Sequence, residues 1–199
     1  MANDDALQRP VTDLRLCWWI FAVRGGLAVI FALILFLASI FLGIFFFDPV
    51  TLVYMSLLLG SFVLGNGLLL GVAARFAHEH RVHIWWLILG EACFAILLGV
   101  YIGISLVLTA KSLAFLAGLH ALGNGFFQES LAVKLRADRR HPVLLALAGL
   151  VSLGVGIVFL AHVHQGARTT TQALSAFELF SGLIWLGVAF RSRGALPAG

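Results

Sequence analysis

Seven polar side chains interrupt stretches that are otherwise apolar: Arg24, Asn66, Glu91, His120, Asn124, Glu129 and Glu178. Carboxylates and imidazoles can hold and pass protons, a guanidinium can neutralise a carboxylate, and amides can bridge the two. Inside hydrocarbon such groups are costly, face one another or a water-filled path, and are functional candidates by default. Two readings follow. The seven form a polar path or proton-binding cluster, or they pair between helices and only hold a bundle together. Interhelical hydrogen bonds in a membrane average about 0.6 kcal/mol in one measured case. The second reading is favoured, with Glu178 set apart. A lone carboxyl deep in a membrane is expected to keep its proton or to have a partner, here His120, Arg24 or a backbone carbonyl.

Other residues offer weaker chemistry. His162 and His164 sit close together and would gain charge below about pH 6.5, which suits acid sensing; two exposed loop histidines are the plainer reading. His78, His80 and His83 stand beside Arg75 and Arg81. No carboxylate pair or cysteine supports a metal there, and an interfacial, lipid-facing loop is expected. Cys17 and Cys93 lack metal spacing and are expected to be buried free thiols. No nucleophile has a base at suitable spacing, and no phosphate loop or metal motif occurs. Neither catalysis nor a cofactor is expected. Nucleic acid is not an expected partner, because no basic patch with interleaved aromatics exists.

The elements that must position these residues are membrane spans. Of 199 residues, 61% are hydrophobic and only 11% charged, where soluble domains carry about 25% charged residues. A membrane helix needs roughly 20 apolar residues in succession, and six runs qualify. They cover about Trp18 to Phe47, Thr51 to Ala74, Ile84 to Ile104, Ser112 to Val133, Pro142 to His162 and Thr170 to Phe190. Asp48 and Pro49 are expected to end the first. Lipid requires each span to satisfy its own backbone, so the runs are helices. The N-terminal segment 1–16 lacks the features of a removable signal peptide and is expected to stay as an uncleaved, cytoplasmic lead-in.

Orientation follows from Lys and Arg. Eleven fall on the side of the termini and the even connections, against Lys111 and Arg168 on the other. Positive residues stay in the cytoplasm, so both termini, including the tail 194–199, are expected there. At about 1.5 Å per helical residue, Arg24, Glu91 and Glu129 lie shallow on that side, roughly 7 to 11 Å in. Asn66 and Asn124 lie deeper, and His120 and Glu178 are nearest the midplane.

The spans repeat. Leu64-Gly65-Asn66-Gly67, Leu122-Gly123-Asn124-Gly125 and Leu179-Phe180-Ser181-Gly182 place a glycine at intervals of 58 and 57 residues, each followed by a basic tail. The domain 17–193 thus divides into helical hairpins of about 17–76, 84–136 and 142–193. All three start and end on one side, so they are related by rotation about the membrane normal rather than by inversion. Gly67 with Gly71, and Gly99 with Gly103, have the spacing for close helix contact. The expected fold is therefore an all-α membrane protein of six helices, three αα-hairpins in parallel topology.

Trp18-Trp19, Arg24-Gly25-Gly26-Leu27-Ala28, Asp48-Pro49-Val50-Thr51-Leu52, Leu64-Gly65-Asn66-Gly67, the segment from Leu113 to Arg136 and Phe177-Glu178-Leu179-Phe180-Ser181-Gly182 carry a resemblance. Over about residues 17 to 193 the chain resembles the HdeD family of small bacterial inner-membrane proteins. It departs in an enlarged first hairpin and in lacking the turn proline in the second and third. The resemblance implies a non-enzymatic inner-membrane protein linked to acid or envelope stress, acting through packing, oligomerisation or a partner. It carries no catalytic residue over. Membrane lipids are the expected partners, a homo-oligomer is compatible with the pattern, and no small-molecule substrate is indicated. The alternative is a small transporter or channel using the buried polar residues. The outer halves of the first, second, third and fifth spans are almost purely apolar, which speaks against it.

Overall fold

The structure, a computed structural model, describes residues 18–45, 48–80, 82–105, 109–134, 142–162 and 167–193. Six helices follow one another: α1 (Trp18–Phe45), α2 (Asp48–Glu79), α3 (Trp85–Ile104), α4 (Ala110–Lys134), α5 (Pro142–Ala161) and α6 (Ala167–Arg193). No strand occurs among the described residues. Five of the six are long and apolar enough to cross a membrane; α4 is the exception. Its 25 residues reach about 37 Å at helical rise, so composition and not length sets it apart. Lys111, His120, Asn124, Gln128, Glu129 and Lys134 all lie on it.

Several helix ends differ from the sequence expectation. Asp48 and Pro49 open α2 rather than only closing α1, because a first-turn proline loses no hydrogen bond. α2 also runs past Ala74 to Glu79. Arg75 Nε donates to Glu79 Oε1 one turn on, at 3.1 Å, supporting that extra turn. Thus Arg75 to Glu79 is helix, not loop, and a tight turn closed by Val82 N–H on Ala77 C=O at 2.8 Å follows. His78 packs edge-on against Trp85, and His80 lies on Phe76. α6 continues to Arg193, whose guanidinium lies 5.3 Å from the Trp18 ring. The start of α1 and the end of α6 therefore meet at one end of the bundle, here called the terminal end.

Large apolar side chains point outward on every helix, Leu97, Ile104, Val143 and Phe190 among them. A soluble protein does not tolerate such a surface, and a bilayer requires it. With this composition the chain is an integral, multi-pass membrane protein. Cys93 is also exposed, contrary to the expectation of a buried thiol. It sits on the outward face of α3, where an apolar thiol meets lipid at no cost. Cys17 lies outside the described residues.

Two apolar clusters fill the interior. One, at the terminal end, takes Ile20 and Phe21 from α1, Ala73 and Ala77 from α2, Leu131 from α4, Leu145 from α5, and Trp185 and Val188 from α6. The other, toward the opposite end, gathers Leu35, Met55, Leu59, Ile102, Leu113, Leu116, Leu174 and others.

The helices do not pack most closely in the expected hairpins. α1 packs most extensively on α6, α2 on α3, and α4 on α5, while α1/α2, α3/α4 and α5/α6 touch far less. Glycines account for these pairs. A Cβ at Gly182 would lie 3.0 Å from the Val29 backbone nitrogen, one at Gly67 2.8 Å from that of Ile96, and one at Gly125 2.8 Å from that of Leu153. Helices that gain little by leaving lipid associate where backbones approach, and only glycine permits this approach. Gly99 similarly lies against Leu64, but Gly71 and Gly103 have open space at Cβ. The four-residue spacing therefore picked one correct member of each pair. Gly60 on α2 is the residue that partners the Gly99–Gly103 stretch instead.

Candidate functional site

Arg24 is the seventh residue of α1 and Glu91 the seventh of α3, each followed by a small residue, Gly25 or Ala92. Both side chains enter the bundle interior, and Arg24 Nη2 makes a close ion pair with Glu91 Oε1. The same nitrogen donates to Asn124 Oδ1 on α4 at 2.9 Å. The guanidinium carbon also lies 4.5 Å from the Trp185 ring of α6, which is stacked on Phe21. Arg24 thus touches three other helices. Desolvating these two charges is expensive, and the pair is tolerable only because the arginine is bonded on both sides.

The line continues along α4. Asn124 Nδ2 lies 3.4 Å from His120 Nε2, one turn further from the terminal end. His120 Nε2 in turn lies 3.4 Å from Glu178 Oε1 on α6. This last contact is within ion-pair reach, yet Glu178 Oε1 forms no hydrogen bond. Both residues are 2% exposed. Phe62 meets the His120 ring edge-on at 6.2 Å and itself stacks on Phe31 at 3.9 Å. Phe62 thus covers one side of the buried imidazole.

Five of the seven sequence candidates are joined in this way: Glu91, Arg24, Asn124, His120 and Glu178. Asn66 is buried on α2 but shares none of these bonds. Glu129 stands apart, at the floor of a groove of about 470 Å³ between α3 and α4, with Trp86 and Lys134 also lining it. Its Oε1 is buried without a hydrogen bond and leans on Gly149 of α5. His162 is exposed, with Nδ1 3.0 Å from the Val158 carbonyl. It shares no bond with the polar line and lines an apolar groove of about 670 Å³ between α5 and α6. His164 lies outside the described residues.

Gln128 and Ser152 belong to the same interior and were not singled out from the sequence. Gln128 is 1% exposed; its Oε1 accepts from Ser152 at 3.4 Å, and its Nε2 has no partner. The signal was present. His120, Asn124 and Gln128 follow at four-residue steps and so line one face of α4.

The arrangement can neutralise two opposite charges, hold a proton at the His120–Glu178 pair, and pass hydrogen bonds across four helices. It is capped at both ends by the apolar clusters around Leu145 and Val188 on one side and Leu59 and Leu113 on the other. Among the buried polar side chains beyond it, Ser39, Ser56 and Ser175 donate to the Phe36, Leu52 and Gln172 carbonyls of their own helices. No protein-family model, curated protein or solved structure matches the chain.

Proposed function

We propose that the chain is a non-enzymatic bacterial inner-membrane protein of the HdeD type, serving acid or envelope stress resistance through packing, oligomerisation or a partner. The observation that carries this reading is the enclosure of the polar line between two apolar clusters. A solute path needs polar groups from one surface to the other, and the interior toward the opposite end is filled by an apolar cluster that includes Leu35, Met55, Leu59 and Phe177.

In this reading α4 also crosses the membrane, making six spans. His120, Asn124 and Gln128 lower its hydropathy but are buried in the bundle, as intramembrane polar groups are. Three hairpins of about 17–76, 84–136 and 142–193 are related by rotation. Support comes from the register: Val29, Ile96 and Leu153 each stand eleven residues beyond Trp18, Trp85 and Pro142, and each receives the equivalent glycine of the preceding hairpin, Gly182, Gly67 and Gly125. The close packing of α6 on α1 is what closure of such a ring requires. Both termini are placed in the cytoplasm by the Lys/Arg asymmetry. Arg24 leaves that count because it is buried, and ten residues still oppose two.

A second reading, proton-coupled transport, is favoured by one observation: the five polar residues form a connected line. Survival and cytoplasmic pH after acid challenge, with the gene deleted and restored, test the proposal. Loss of survival on deletion, restored by both wild type and Glu178→Gln, fits a packing role. Restoration by wild type alone, with Glu178→Gln equally well folded, supports the proton-coupled reading. No change on deletion removes the acid-stress assignment.

A further inference from the structure

The polar line leaves one carboxyl of α4 out. Glu91 is taken by Arg24, and Glu178 stands beside His120, but Glu129 makes no ion pair among the described residues. Its Oε1 is buried without a hydrogen bond. A carboxyl so placed is costly until a donor or a positive charge reaches it. Glu129 is only partly buried, and it lines the groove of about 470 Å³ between α3 and α4. That seam is one of the loosely packed ones, and Trp86 and Phe126 on its walls are exposed on the outer surface of the bundle. Gly90 keeps it open: a Cβ there would meet nothing closer than the Phe127 ring, at 3.4 Å. The volume is that of a small-ligand site. Ser130 and Lys134 are its other polar residues. Ser130 Oγ already donates to the Phe126 carbonyl, and Lys134 Nζ lies 5.9 Å from the centre of the Trp86 ring. Neither donates to Glu129.

The complement of this groove is a positive charge with N–H donors, carried on an apolar stem. Depth selects the kind. Lys134 is the last residue of α4, and Glu129 lies five residues inward of it, about 7 Å at helical rise. Each headgroup layer of a bilayer is roughly 5 to 7 Å thick. With Lys134 in that layer, Glu129 stands where hydrocarbon chains begin. A phospholipid amine lies beyond its phosphate, further out, whereas the ammonium of a single-chain amine is bonded directly to the chain. We propose that the α3/α4 groove is a binding site for cationic amphiphiles: a long-chain primary ammonium enters from the lipid, donates to Glu129, and lays its stem against Trp86, Phe126 and Phe127. The inference rests on the membrane crossing of α4 in the proposed function and not on the acid-stress assignment. Side-specific cysteine labelling at the two ends of α4 tests that crossing separately.

Electron spin resonance of the full chain in phosphatidylcholine vesicles tests the site. The probe is octadecylammonium spin-labelled on its chain, compared with octadecanol and octadecanoate carrying the same label. The motionally restricted fraction measures how strongly each is held by the protein. The ammonium should be held about tenfold more strongly than the alcohol, the scale of one charge-assisted hydrogen bond. The net charge of +4 works against any nonspecific retention of a cation. Glu129→Gln should remove the preference, and Glu79→Gln, at the exposed end of α2, should keep it. Gly90→Leu projects into the groove without altering charge and should reduce it. A wild type that holds ammonium and alcohol alike overturns the proposal, as does a folded Glu129→Gln protein with an undiminished preference. Strongest retention of octadecanoate would make Lys134 the anchor and overturns it too. Should Glu129→Gln not fold, Gly90→Leu decides, and a full preference in that variant contradicts the assignment.

Discussion

Replacing Gly67 with alanine adds one methyl group, and the structure states what it would strike. The new Cβ would lie 2.8 Å from the Ile96 backbone nitrogen, 2.9 Å from its side chain and 3.1 Å from the Ala95 methyl. A side chain can rotate away, but the backbone of α3 cannot, so α2 and α3 must separate along their contact. Gly71, one turn further along the same helix, has nothing within 4 Å at its Cβ position. Alanine is favoured over glycine in a helix by about 1 kcal/mol, and both variants share that gain. Overpacking costs about 1 to 3 kcal/mol, and a rigid backbone neighbour puts Gly67 at the upper end. Gly67→Ala should therefore lose about 2 kcal/mol net, while Gly71→Ala should gain up to about 1 kcal/mol. Reversible unfolding in mixed detergent micelles measures both, and a difference of about 3 kcal/mol is over a hundredfold in the folding equilibrium. Equal stability of the two variants would refute glycine-mediated backbone contact as the basis of the α2–α3 pair.

The same logic makes Gly125→Ala and Gly182→Ala costly and Gly187→Ala harmless, read by the same assay. Removing either partner of Arg24–Glu91 leaves a buried charge, so Glu91→Ala should cost about 3 to 5 kcal/mol; Arg24→Met combined with Glu91→Leu should recover most of it, and a double variant as unstable as the single one would contradict the pairing. Glu178→Gln should leave folded yield nearly unchanged because the amide keeps a polar group beside His120, whereas Glu178→Leu leaves the buried imidazole without its polar neighbour on α6 and should cost about 1 to 3 kcal/mol; indistinguishable yields would remove Glu178 from the interior network. Because Arg193 meets Trp18, a circular permutant joining residue 193 to 18 by a short linker and opening in 135–141 should fold, and its failure alongside a folding linear control would count against ring closure.

The helical, membrane-spanning character was legible because apolar runs of this length admit few alternatives in lipid. Helix ends were less so. The Arg75–Glu79 pair and the first-turn proline lengthen α2 at both ends, and neither effect is visible in hydropathy alone. The pairing of α1 with α6 was not read from the sequence, since Gly25 and Gly182 are distant in the chain and nothing local links them. For the polar residues, depth drew attention to Glu178, and the structure places His120 beside it. The partner of Glu91 could have been inferred from its register, because Arg24 and Glu91 occupy the same position in α1 and α3. Gln128 was passed over although it continues the His120–Asn124 face. Cys93 escaped because composition cannot tell an inward apolar residue from a lipid-facing one.

The central claim is that α4 crosses the membrane with its polar face turned inward. Single cysteines at Thr109 and Arg139, in a chain whose Cys17 and Cys93 are replaced by alanine, test it through labelling with a membrane-impermeant maleimide in intact cells. The account predicts labelling of Thr109→Cys from outside and of Arg139→Cys only after the cells are permeabilised. Labelling of both from the same side would contradict it.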